Sequence, residues 1–205
     1  MSPLIDGCIL GHLQVGPRYQ VSQDVEVIVA ALTAGATQMA EALERIVAAT
    51  AAKFRYDHPD HRFNEGADAV PALSCGLTPG SCVDINTYLV ASCNAVDIPA
   101  AYFAGYFFPR ERHGVTNDMH CWVVTWAGGV QQEWDIAHHI KAGRNRIVPG
   151  YNPKPGHRYA MSFGRGHRYV VNDLIVTFSH FSEPEWLMPD GRTKRASLTA
   201  RLEAD

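Results

Sequence analysis

The sequence predicts an α+β fold, with helical segments first and a run of antiparallel strands after them. Two observations carry this reading. Apolar residues recur at helical spacing in three stretches before Ala95, and aromatic or β-branched runs punctuated by turn residues follow from Ile98 onward. Helices and strands thus segregate along the chain instead of alternating as βαβ units. The 205 residues, 46% hydrophobic and 19% charged, suffice for one domain with a sizeable core. The expected layout is a single domain over 1–205, made of an extension at 1–20, a core at 21–182 and a peripheral tail at 183–205.

Each element has a local reason. Gly7, Gly11, Gly16 and Pro17 mark the extension as irregular or a short edge strand. Ser22 or Asp24 can cap a first helix, because a side-chain oxygen there accepts an orphan backbone N–H. Val25, Ile28, Val29 and Leu32 give its apolar face, and Gly35 closes it. Thr37 is the expected cap of a second helix from Gln38 to about Lys53, striped by Met39, Leu43, Ile46 and Val47, with Glu41 and Arg45 paired on the wet face. From Asp57 to Ser81, Pro59, Gly66, Pro71, Gly76, Pro79 and Gly80 break the pattern into a long loop, and such loops are usually functional. A third, largely buried helix is expected over Val83–Ala95. Strands are expected over Ile98–Phe108, Met119–Trp126, Val130–Ile136, Arg158–Phe163 and Tyr169–Phe181, with Gly128-Gly129 as a hairpin turn. Lys141 to Gly156 reads as a basic loop, and the tail as peripheral with a short solvated helix at its end.

Composition removes several function classes. With 21 acidic and 18 basic side chains, the net charge of −3 offers no footprint for nucleic acid. No stretch approaches 18 uncharged apolar residues, so no membrane span is expected. Met1 to Gly11 has neither a basic segment nor a long apolar run, and Ile5-Asp6-Gly7-Cys8 lacks the apolar lead of a lipoprotein signal, so a cytoplasmic protein is expected. Five cysteines are too sparse for a disulfide scaffold, and their odd number leaves one over.

Three of the polar positions form a chemical set. Cys82 opens the third helix, where the helix dipole favours thiolate. His120 lies early in the Met119–Trp126 strand. Asp135 lies at the end of the strand joined to it by the Gly128-Gly129 turn, so that cross-strand pairing could place the two side by side. An imidazole beside a thiol lowers its pKa and can protonate a leaving amine, while a carboxylate on the other ring nitrogen fixes the tautomer. Ser81 and Gly80, next to the Cys82 backbone N–H, stand where an oxyanion would be held. Trp122 shares the face of His120 by strand alternation, and with Tyr106, Trp134 and Asn64 it is a candidate for contact with substrate. The structural alternatives are core packing for the tryptophans and for Cys8, Cys93 and Cys121, and satisfied surface imidazoles for His138 and His139. Cys75 could join Cys82 in a regulatory disulfide or in none. A zinc set of Cys75, Cys82, His120 and Cys121 is the rival chemistry, but its Cys-x6-Cys spacing is wide, and adjacent His120 and Cys121 face opposite ways. No metal and no cofactor are expected.

Taken in order, these segments resemble the transglutaminase-like, papain-like thiol superfamily in its small bacterial form. Pro79-Gly80-Ser81-Cys82-Val83-Asp84 is similar to the Gly-x-Cys motif, and Val96-Asp97-Ile98-Pro99-Ala100-Ala101 through Gly105-Tyr106 to the Gly-Ile-Pro-Ala-Arg…Gly-Tyr strand. His120-Cys121-Trp122 is similar to the His-x-Trp strand, and Glu133-Trp134-Asp135 to the closing Trp/Asp segment. The resemblance covers roughly residues 24–137. It departs at Ala101, where the family commonly has Arg, at Asp97, where Gly is usual, at Val83, where a small residue is, and in the extra Cys75. These departures leave the substrate class open.

The resemblance implies a papain-like transglutaminase core, with N-terminal helices and a catalytic helix packed on an antiparallel sheet. It implies acyl transfer through a thioester by a Cys82–His120–Asp135 triad on a peptide or other amide-containing substrate. Hydrolysis makes the protein a peptidase or amidase, and an amine acceptor makes it an amide-forming acyltransferase. A non-catalytic binding module that keeps the fold is the reading from a different class. Oligomeric state is not written in the sequence.

Overall fold

The computed structural model describes residues 17–73, 76–171, 173–180 and 182–203. The three longest helices come before the longer strands, as the patterning predicts. A 3-10 turn at Pro17–Tyr19 leads to helices α1 (Gln23–Thr33) and α2 (Met39–Lys53). Short strands β1 (Phe54–Tyr56) and β2 (Thr78–Gly80) bracket the long loop, and α3 (Cys82–Asn94) follows. Then come β3 (Ala100–Pro109), β4 (Val115–Thr116), β5 (Met119–Ala127), β6 (Val130–Trp134) and helix α4 (Ile136–Lys141). The chain continues through β7 (Gly156–Phe163), β8 (His167–Val171), β9 (Leu174–Phe178), β10 (Glu185–Leu187), β11 (Thr193–Arg195) and β12 (Ala200–Arg201). The fold divides into two compact units, residues 1–102 with 122–153, and residues 103–121 with 154–205. Strands β3 and β5 each begin in one unit and end in the other.

In the first unit, α1 starts where Ser22 accepts the N–H of Val25, and it turns out through Gly35 at φ +72°, a conformation in which a glycine avoids a Cβ clash. Helix α2 begins one residue later than expected. Its N-cap is Gln38, which makes no side-chain cap bond. Thr37 instead donates its backbone N–H to Glu41 Oε2 at 3.1 Å. The expected Glu41–Arg45 pair forms at 2.6 Å. It also ties two helices together, because Arg45 donates to the carbonyls of Leu32 and Ala34 at 3.2 and 2.9 Å and so satisfies the open end of α1. Leu43, Ile46 and Val47 of α2 are buried, and the elements touching α3 include α2, α4 and the first 3-10 turn.

The long loop is tethered at both ends. Strands β1 and β2 run parallel, pairing Phe54 with Thr78 and Tyr56 with Gly80. Strand β1 follows α2 without a linker, so periodicity gave no sign of it. Within the loop, Val70 exchanges backbone hydrogen bonds with Gln20 and Ser22, and Lys53 Nζ donates to the Leu73 carbonyl at 2.7 Å. Phe63 packs edge-on against Phe54 and Tyr88. The β5–β6 hairpin turns at Gly128-Gly129, both at positive φ, and pairs Ala127 with Val130 through Val123 with Trp134.

That register corrects one expectation. Pairing ends at Trp134, and Asp135 is the N-cap of α4. Asp135 is therefore not a cross-strand partner of His120. The α4 segment itself was expected to be strand and loop. Its His138 and His139, expected at the surface, are buried.

In the second unit, β3 pairs antiparallel with β7 from Phe103–Phe163 to Pro109–Gly156, with a bulge between Ala104 and Gly105. The single strand expected over Tyr169–Phe181 is instead the hairpin β8–β9, turned where Asp173 adopts φ +65°. The expected terminal helix is absent among the described residues. The tail pairs instead, β10 with β11 and β12 with β4.

Candidate active site

The first unit builds the nucleophile end of α3. Ser81, in extended conformation, caps the helix and its Oγ accepts the Val83 N–H at 3.2 Å. The Asp84 carboxylate takes the Ser81 N–H at 2.9 Å and the Ser81 hydroxyl proton at 2.7 Å, completing a capping box. The Ser81 hydroxyl also accepts from the Asp84 N–H and from Arg62, the latter at 3.2 Å. Ser81 is therefore committed to holding the helix terminus. Gly80 precedes it under the ring of Phe54, where an added Cβ would lie 2.8 Å from a ring carbon.

Cys82 is the first residue of α3, and its side chain is buried. Its thiol sits at the positive end of the helix dipole, which favours thiolate. Asp84 brings an opposing negative charge to the same turn. Arg62, from the long loop, meets that carboxylate at 3.0 Å. The Asp84 side chain is 0% exposed and the guanidinium 42%, so the pair is only partly screened by water. Arg62→Met should therefore lower stability by about 1–2 kcal/mol, less than loss of a fully buried partner. It should also slow alkylation of Cys82, with Arg62→Lys intermediate. Urea denaturation and timed thiol labelling measure the two effects.

The other described cysteines, Cys93 and Cys121, are thiols buried in the core. Burial pushes the Cys93 thiol up to about 12. Cys8 and Cys75 lie outside the described residues, and with Cys75 goes any statement of its pairing or of the zinc set.

Asp135 is held from three directions within the first unit. Its Oδ1 accepts the backbone N–H of His138 at 3.2 Å. Its Oδ2 accepts from Asn152 Nδ2 at 2.9 Å and lies 3.0 Å from His138 Nδ1. The same Asn152 nitrogen is 2.8 Å from His138 Nδ1. His139 has a different task. Its Nε2 accepts from the Val148 N–H, so its Nδ1 carries the proton given to the Asp135 carbonyl. It pins the segment after α4 in place.

His120 lies on β5 in the second unit, buried, with its ring 6.0 Å from that of Phe107. Two residues further along the strand is Trp122, buried in the first unit. Tyr106 pairs with Tyr159 on β3–β7, and burial, with the Glu183 carboxylate, raises its phenol pKa. Trp134 is packed in the first unit and donates its indole N–H to Thr125 at 2.8 Å. It also lines a cavity of about 240 Å³ with Val47, Ala48 and Val148. Asn64 serves a turn in the long loop, accepting the Ala67 N–H on its carbonyl. Sequence reasoning missed Asn152. Nothing but the neighbouring Pro153, which disfavours helical backbone before it, marks that position.

Residues 26–136 match the transglutaminase-like superfamily. That stretch exceeds half of the chain and contains Cys82, His120 and Asp135. The chain belongs to the transglutaminase-like superfamily. Membership supports a cysteine-dependent activity of the amidase or peptidase type at the family level. The superfamily segment starts inside α1 and ends at the first residue of α4, so Asn152 lies beyond it. No curated protein matches the chain. Among solved structures, one from Cytophaga hutchinsonii named "putative cysteine protease" is similar, at 16% identity and a TM-score of 0.48. The alignment covers 98% of this chain and 58% of that one, so this chain spans a little over half the length of that protein. Among the described residues, no helix is long and apolar enough to cross a membrane.

Proposed function

We propose that the protein is a cysteine-dependent amide hydrolase that works through a thioester, with Cys82 as nucleophile, His120 as proton carrier and Asp135 as the carboxylate that orients His120. The observation that supports this most is the capped, buried start of α3, which presents a thiol at a helix N-terminus beside first-turn N–H groups. In the first half-reaction the Cys82 thiolate forms a C–S bond to the amide carbonyl carbon, and the carbonyl π electrons move to oxygen. Backbone N–H groups at the start of α3, that of Cys82 among them, are the donors for this oxyanion. Collapse of the intermediate breaks the C–N bond, and the amine leaves with the proton from the His120 imidazolium. Water then gives a proton back to His120, attacks the thioester and releases the acid and the thiolate.

The test is intact-mass trapping of the acyl-enzyme from a peptide library, with and without added alkyl amine. A single adduct on Cys82, absent from Cys82→Ala and resolving to a free acid in water, is the expected result. Resolution to the amide in preference to the acid would assign the amide-forming reaction instead. An adduct on another cysteine, or none, would overturn the nucleophile assignment.

A further inference from the structure

Asp135 performs two separable tasks. One is capping α4, through Oδ1 and the backbone N–H of His138. That bond depends on the main chain of residue 138 and survives any change of its side chain. The other task lies on Oδ2, which meets His138 Nδ1 at 3.0 Å and Asn152 Nδ2 at 2.9 Å. A helix cap needs neither contact. All three residues are in the first unit, and both Asp135 and His138 are buried.

We infer that His138 and Asn152 are positioning residues that clamp one edge of the Asp135 carboxylate and fix its rotation about the Cβ–Cγ bond. This rests on the proposed role of Asp135 as the carboxylate that orients the catalytic imidazole. A carboxylate held by its cap alone can swing about that bond. With Oδ2 held by two nitrogen-bearing groups, its remaining acceptor direction is set before substrate arrives, which is what orientation of an imidazole requires. The three atoms of the clamp are nearly equidistant, at 2.8, 2.9 and 3.0 Å. They cannot all be bonded to each other at once. Asn152 can donate to the ring only when Nδ1 carries no proton; the clamp is the other arrangement, in which Nδ1 carries the proton and donates to Asp135 Oδ2. The orientation of the Asn152 amide and the tautomer of His138 are therefore coupled.

The experiment compares His138→Phe, which keeps an aromatic ring and removes Nδ1, with His138→Asn, whose amide reaches the position of Nδ1. With the peptide substrate found by trapping, His138→Phe should lower kcat about ten- to a hundred-fold at little-changed KM, the loss expected of a charge-assisted hydrogen bond. His138→Asn should recover to within a few-fold of the parent, and both should keep its urea midpoint. Equal kcat in all three would overturn the clamp. Equal loss in Phe and Asn variants with a lowered midpoint would also overturn it, by assigning His138 to stability. Should the parent form no acyl-enzyme, the proposed function fails and the clamp is read separately, by ¹⁵N spectra of the His138 ring in the parent and in Asn152→Leu. A change in the ring tautomer balance supports the clamp. An unchanged spectrum overturns it.

Discussion

Replacing His120 with alanine is expected to slow iodoacetamide labelling of Cys82 near pH 6 by about a hundred-fold. The size follows from thiolate supply. An ordinary cysteine with a pKa of about 8.5 is well under about 1% ionised at that pH, whereas a thiol paired with an imidazolium is largely ionised. Acyl transfer should fall further, by about 10²–10⁴, because the leaving amine also loses its proton donor. Cys93 supplies an internal control. Its burial and high pKa keep it unlabelled until the chain unfolds. Tandem mass spectrometry of partially labelled protein resolves the sites. Labelling of Cys82 no faster than the other thiols in the parent would remove the case for an activated nucleophile.

Gly105→Ala should be among the most destabilising single changes, by about 3 kcal/mol or more. A Cβ built on Gly105 falls 1.9 Å from the Tyr159 carbonyl oxygen and 3.0 Å from the Ala160 Cα. Both are main-chain atoms of β7, and neither can rotate away as a side chain would. Overpacking of this kind usually costs about 1–3 kcal/mol, and contact with backbone across a paired strand is at the severe end. The position also coincides with the register shift between Ala104 and Gly105, a bulge at which the two strands approach closely. Urea denaturation measures the loss, and near-ultraviolet circular dichroism of the flanking Phe103, Tyr106 and Tyr159 reports the lost β3–β7 pairing. A midpoint unchanged from the parent would show that the strands part at little cost.

The features legible in the sequence were those with a local physical signature. Ser22 caps a helix because a short hydroxyl side chain reaches a first-turn N–H, and Gly128-Gly129 forms the hairpin because both residues need positive φ. The order of helices before strands followed from periodicity alone. What escaped was short or nonlocal. Helix α4 has six residues, fewer than two turns, so no apolar period could distinguish it from the end of a strand. With that helix went the burial of His138 and His139 and the change of Asp135 from strand residue to cap. The Asn152 contacts close over a separation that no pattern encodes. The β8–β9 hairpin was hidden because its apolar runs are nearly continuous in sequence, and the tail strands are only two or three residues long. Cys82 and Asp135 could be singled out because they stand at element ends, whereas Arg62 and Asn152, which contact Asp84 and Asp135, come from elsewhere in the chain.

The parallel pairing of β1 with β2 makes the 21 residues between Tyr56 and Thr78 a replaceable part. Both ends are fixed to neighbouring strand positions, so insertions clear of the Arg62, Phe63 and Val70 contacts change mainly the entropy of closing a loop. That cost rises by about 0.6 kcal/mol for each doubling in length. Relatives could therefore lengthen or exchange this stretch while α3 and its thiol stay where they are, provided that Arg62 still reaches Asp84 and Phe63 still reaches Phe54 and Tyr88. Differences in length within such a lineage would concentrate here, in a handle that evolution can remodel without refolding the rest.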